Sequence, residues 1–148
     1  PYLSERILQA MEFEITESVL LEHYEQINET REQIKQMGIA VSLDDFGSGF
    51  SSLSTIGELH IDTVKIDRFF ISRISRLPDQ DLITSDIISM AHKIGLLVVA
   101  EGVEDERQEA YLRKHGCDII QGYLISRPLP EQDAVAFFRD YNVSEREE

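Results

Sequence analysis

The sequence predicts an α/β protein in which a parallel sheet is covered by helices. Three observations carry this. Short apolar or β-branched runs recur about five times along the 148 residues, and each is followed by apolar residues at helical spacing. No apolar run approaches the roughly 20 residues that cross a bilayer, so these runs belong to a water-soluble core. Strands that alternate with amphipathic helices pack as parallel sheets with covered faces. The length suits one domain, able to bury roughly 70% of the surface of its unfolded chain.

The first strand is expected at Met11–Thr16. A single helix from about Ser18 to Met37 should follow, with Leu20, Tyr24, Ile27, Ile34 and Met37 on one face and Gly38 as its stop. The second strand, Ile39–Leu43, runs into Asp44 and Asp45, then a small-residue loop and a helical turn through Leu53 and Ile56. Thr63–Ile66 is the third strand, followed by Asp67 and a linker reaching Pro78 and Asp79. That linker opens a helix to about Ile94, with Ile83, Ile87, Met90, Ala91 and Ile94 as its buried stripe. Leu96–Ala100 is the fourth strand and Glu104–His115 the next helix, whose acidic first turn suits the positive helix N-terminus. The fifth strand is Asp118–Leu124. A proline-containing turn, 127–130, leads to a last helix with Ala134, Phe137, Phe138 and Tyr141 as its apolar face. Residues 143–148 are expected to fray.

Composition excludes several functions. With 28 acids against 14 bases the formal charge is −14, the wrong sign for a general nucleic-acid binder or for docking on an anionic membrane. The first residues, PYLSERILQAMEFE, lack the basic start and apolar stretch of a signal peptide. The single cysteine, Cys117, excludes an internal disulfide, fits a reducing cytoplasmic compartment and is expected to be buried. His23, His60, His92 and His115 are too scattered to form a metal site and read as surface or packing residues.

The chemistry concentrates where strands end. Glu14, Asp44, Asp45, Asp67 and Glu101 end four strands, joined by Lys65, while Gln121 lies within the fifth. In parallel α/β folds these ends share one side, where active sites are built. Any one such acid can be a helix cap. Together they repel, and a cation removes the conflict. Oxygen donors without His or Cys point to Mg²⁺, Mn²⁺ or Ca²⁺. Two such ions about 3.5–4 Å apart can activate a water for phosphodiester hydrolysis. Lys65 can orient that water and offset charge, or it can simply pair an acid such as Asp67. The loop Phe46, Gly47, Ser48, Gly49 and Phe50 reads as a gate beside these ligands or as an ordinary tight turn. No GxGxxG or P-loop follows a strand, which weakens a nucleotide-fold reading.

The segments EFEITES, SLDDFGSGFSSL, TVKIDRFFI, VVAEGVED and IIQGYLISRPLP, in this order, resemble the EAL family of cyclic di-GMP phosphodiesterases from about Glu12 to Phe138. The resemblance implies a partial TIM-like barrel and bacterial second-messenger signalling. It implies hydrolysis of cyclic di-GMP to linear pGpG with Mg²⁺ or Mn²⁺ bound as a pair. Glu14, Asp44 and Asp45 would be metal ligands, and Lys65, Asp67, Glu101 and Gln121 catalytic-site residues. Glu17 would brace the loop after the aspartates, and Glu104 would be the second acid of AEGVE. A homodimer through this domain is expected in the intact protein, which leaves room for an upstream sensor or diguanylate-cyclase-like domain and for a membrane anchor elsewhere.

The Glu-Ala-Leu signature and the asparagine of the following strand have no match here. A barrel needs about 250 residues, so about 100 are expected before Pro1. The chain alone is then expected to be inactive and prone to self-association through its open edges. Two other readings stand beside hydrolysis: a catalytically silent cyclic di-GMP receptor, and proton abstraction beside a carboxylate by a lysine base, as in enolase-type enzymes.

Overall fold

A computed structural model describes Leu8, residues 10–47 and residues 61–144. Five strands form one parallel sheet: β1 (Glu12–Thr16), β2 (Ala40–Phe46), β3 (Thr63–Ile66), β4 (Leu97–Glu101) and β5 (Ile119–Gln121). Their spatial order is β1-β2-β3-β4-β5, the same as their order in the chain. The order never reverses, so there is no switch point of the doubly wound kind. Successive right-handed crossovers therefore place the helices on one face, as in a barrel wall. Among the described residues β1 and β5 remain edge strands and the sheet is not closed.

Register and the two-residue period of strands sort the sheet into two faces. Val41, Leu43, Val64, Ile66, Val98 and Ala100 share the helix-covered face, and all are at most 2% exposed. Ile71, Ile74, Ile88 and Leu112 pack onto them from the helices. Burial of each such side chain stabilises by about 1.5–3 kcal/mol. The opposite face carries Glu14, Ser42, Thr63, Lys65, Glu101 and Gln121. The chemistry thus lies on the face away from the helices, which in a closed barrel is the interior.

Several boundaries differ from the sequence reading. The long first helix is two: α1 (Glu17–Glu22) and α2 (Tyr24–Gln36), separated where His23 leaves helical geometry at φ −131° and ψ 31°. Met37 is exposed rather than on a buried stripe. The stretch after Asp67 is not a linker but helix α3 (Arg68–Ile74), which buries Phe70, Ile71 and Ile74. A 3₁₀ turn, Asp79–Asp81, then precedes α4 (Thr84–Lys93). Ile83 and Ile94 flank α4 and are exposed, and Ile88 takes the buried place. Helix α5 (Glu106–Lys114) starts after Asp105, which caps it in a reciprocal box with Gln108. The last helix, α6 (Glu131–Ser144), includes residues 143 and 144, expected to fray; 145–148 lie outside the described residues, as do Leu53, Ile56 and His60. Its face of Phe137, Phe138 and Tyr141 is exposed.

Strand β5 stops at Gln121 because the backbone of Val103 comes against Gly122. Val103 N–H donates to Gln121 O at 3.1 Å, and Leu124 N–H donates to Val103 O at 2.9 Å. A Cβ on Gly122 would lie 2.2 Å from Val103 O and 2.3 Å from Val103 N. Rigid backbone cannot give way, so Gly122→Ala is expected to destabilise by about 3 kcal/mol, from overpacking and two strained backbone bonds. A urea midpoint that falls at unchanged m-value checks this, and an unchanged midpoint contradicts it.

Two carboxylates make stability acid-sensitive, Asp118 just before β5 and Asp105 at the start of α5. Asp118 accepts from Val98 N–H and from His92 Nε2, each at 2.8 Å. Burial pushes its carboxyl up, but those hydrogen bonds hold it below the usual range. The Ser75 hydroxyl does the same for Asp105, against the opposing effect of burial, with help from the Gln108 amide. Both depressed groups bind protons more readily unfolded. Their stabilisation is present above the ordinary value of 3.8 and is lost as pH falls below it. Urea titrations from pH 5 to pH 2 should show Asp105→Asn and Asp118→Asn flattening that loss; a wild-type slope in both would contradict it.

Candidate active site

The strand ends bring the expected residues together through one irregularity. Leu43 pairs with Val64 and Phe46 with Ile66, so Asp44 and Asp45 together oppose the single residue Lys65. This is a bulge, and Asp45 takes the left-handed φ of 56°. In a regular strand the two aspartates would face opposite sides. The bulge frees Asp45 from that alternation, and the Asp45 N–H donates to Asp44 Oδ1 at 2.9 Å. Such a strained non-glycine residue marks a place where surrounding structure enforces geometry.

Lys65 is 6% exposed on the polar face. Its Nζ lies 2.6 Å from Glu14 Oε1, 2.6 Å from Glu101 Oε1 and 3.9 Å from Asp44 Oδ1. Burial alone would lower its pKa, but the hydrogen bonds to Glu101 and Glu14 outweigh burial and raise it above the usual lysine range. Partial burial and the charges of Asp44 and Asp67 push the Asp45 carboxyl up, while Lys65 pulls it down. Asp67 is the N-cap of α3, with Oδ1 accepting from Phe69 N–H at 2.7 Å. It acts on the cluster through its charge on Asp45.

Glu17 is 1% exposed at the start of α1, and its Oε2 accepts from Gly47 N–H at 3.1 Å. Phe46 is buried in the core. Of the expected loop, Ser48, Gly49 and Phe50 lie outside the described residues. Gln121 is exposed and pairs in register with Glu101. A cavity of about 230 Å³ there is lined by Arg68, Glu101, Glu104, Gln121 and Tyr123, among others. Glu104 pairs with Arg68 at 2.6 Å. Arg68 was missed in the sequence reading because it fell in the supposed linker. Cys117 is half-buried, with its thiol against Val98 O and Ile119 O and its pKa pushed up to about 11, mainly by burial. That is an unreactive thiol at neutral pH.

The donor chemistry of Glu14, Asp44, Asp45 and Glu101 suits a hard divalent cation. Among the described residues, however, no three acids, histidines or cysteines converge closely enough to hold one. A cation at this mouth therefore needs oxygens from further residues or a rearranged acid cluster.

A one-sided parallel sheet with acids gathered at its carboxyl ends defines a segment of a TIM-barrel-like domain. The particular family is shown by comparison: the EAL domain matches residues 3–128, and the chain belongs to the EAL domain family. Cyclic di-GMP phosphodiesterase NbdA of Pseudomonas aeruginosa is 43% identical over 131 residues, covering 88% of this chain and 17% of that protein. The structure described as PaMucR phosphodiesterase in complex with c-di-GMP superposes with a TM-score of 0.79 at 36% identity, over 85% of this chain and 51% of that one. Klebsiella pneumoniae BlrP1, in a manganese and cy-diGMP complex, gives 0.74 at 28% identity over 82% and 31%. The chain thus spans about half or less of the length of each of these three proteins.

Proposed function

We propose that residues 1–148 are the C-terminal part of one EAL domain, and that the completed domain hydrolyses cyclic di-GMP to linear pGpG with Mg²⁺ or Mn²⁺. The observation that carries this is the bulge that sets Asp44 and Asp45 against Lys65, itself bonded to Glu14 and Glu101. The open sheet and the half-length match to PaMucR support the partial-domain reading. Three further strands would make eight.

Glu14, Asp44 and Asp45 would hold the cation, together with oxygens from the remaining strands. When bound, it supplies Lewis acidity that lowers the pKa of water and stabilises charge on the phosphoryl oxygens. Lys65 stays protonated at neutral pH and places a fixed positive charge where negative charge develops on the attacked phosphate. Glu14 and Glu101 hold its ammonium in place. Gln121 offers an amide donor and acceptor beside Glu101. A lysine general base must lose its proton near neutral pH, and Lys65 is held in the opposite sense. The family match disfavours the enolase-type alternative.

Among the described residues no helix is long and apolar enough to cross a membrane. The cytoplasm, a homodimer and an upstream sensor or cyclase-like domain belong to this same reading. The test incubates the completed domain with Mn²⁺ and cyclic di-GMP, or with a carboxylate substrate, and separates products by anion exchange. Linear pGpG from cyclic di-GMP alone is expected. Tight binding with no product would favour the receptor reading instead.

A further inference from the structure

We propose that the first turn of α3, Arg68 to Phe70, is a yoke that fixes both strand-end loops flanking Lys65, with Phe70 and Arg68 as positioning residues. The helix begins at Arg68, three residues beyond Lys65, with only Asp67 between it and β3. Residues two apart on a helix point about 200° apart around its axis, so this turn reaches both neighbouring loops. On one side Phe70 lies against Gly47, which follows the aspartate bulge. A Cβ on Gly47 would lie 2.3 Å from Phe70 Cε2, and Gly47 has φ +96°. Glu17 holds the same residue from the other direction through the Gly47 N–H at 3.1 Å. On the other side the Arg68 stem lies across Gly102, directly after Glu101. A Cβ on Gly102 would lie 2.5 Å from Arg68 Cγ, and Gly102 has φ +71°. The Arg68 guanidinium then reaches Glu104 Oε1 at 2.6 Å. Asp67 fixes the turn itself by capping Phe69 N–H at 2.7 Å.

At both loop positions a Cβ would overlap the turn and φ is positive, so with glycine there the loop backbone lies directly against Phe70 on one side and against the Arg68 stem on the other. The separation of Asp44 and Asp45 from Glu101, across Lys65, is thereby set by one rigid element. The catalytic meaning of the yoke rests on the proposed hydrolysis, but its existence is tested without turnover.

Amide hydrogen exchange on the completed domain, resolved by residue, is the experiment. Phe70→Ala is expected to speed exchange of the Gly47 amide about ten-fold or more, and Arg68→Ala that of Val103 and Glu104 similarly, as local opening does. Each truncation should leave the opposite loop within about two-fold, Glu104 in Phe70→Ala and Gly47 in Arg68→Ala, while Ile66 and Val98, central in the sheet, report the global stability lost with the buried ring. Arg68→Met keeps the stem and should restore most of the Val103 and Glu104 protection. If Phe70→Ala does not fold, Phe70→Val is read the same way. Unchanged loop protection in the truncated variants would overturn the proposal. So would equal acceleration of both loops by either truncation, which marks a merely structural role. Failure of cyclic di-GMP turnover would remove the proposed function and leave this exchange pattern intact.

Discussion

Lys65→Met in the completed domain should lower kcat for cyclic di-GMP hydrolysis about 10²–10³-fold, the usual cost of removing one preorganised charge or donor from a transition state. KM should change by no more than about three-fold, because an interaction made only in the transition state does not report on ground-state binding. The fold should survive. Methionine fills a similar volume, and Lys65 lies on the polar face of the sheet, away from the core beneath the helices. Steady-state kinetics with a urea titration of the same variant checks all three statements. A dominant rise in KM would make Lys65 a phosphate-binding residue, and unchanged kinetics would remove it from the site.

Asp44→Asn should cost at least about 10²-fold in turnover at limiting Mn²⁺, since a hard cation loses the charge of a proposed ligand. The backbone should not move. The asparagine carbonyl can still accept from Asp45 N–H, the bond that Asp44 Oδ1 makes at 2.9 Å. Excess Mn²⁺ should recover part of the loss, because affinity is the quantity weakened. Calorimetric Mn²⁺ titration beside kinetics tests this. Wild-type affinity and turnover would place the cation elsewhere.

Much of this arrangement was legible in the residues. β3 occupies the expected Thr63–Ile66, and the acids at the strand ends do meet at one mouth, because parallel strands must share their direction. What was not legible follows from physics that a sequence pattern hides. A period of two says that Asp44 and Asp45 face opposite sides; only the register shift, set by pairing with β3, lets both oppose Lys65. Helix α3 carries its apolar residues at Phe70, Ile71 and Ile74, a clear helical spacing. Its cap is Asp67, one of the strand-end acids for which the residues left helix capping open beside a place in the site. The shortened β5 depends on Val103 meeting Gly122, a contact between loops that no local pattern encodes. The apolar face of α6 was legible as Phe137, Phe138 and Tyr141, but its exposure was not, because helical spacing shows which residues share a face and not what packs against it.

The central claim is that this chain supplies one part of an EAL site and needs the rest of the barrel to act. The most direct measurement co-expresses residues 1–148 with the N-terminal strands of a relative's EAL domain, and assays the purified chain and the complex for Mn²⁺-dependent pGpG formation. The account predicts a stable complex that forms pGpG, EDTA-sensitive turnover, and no turnover by the chain alone. A monomeric chain that forms pGpG by itself, or a well-folded complex that neither binds nor cleaves cyclic di-GMP, would contradict it.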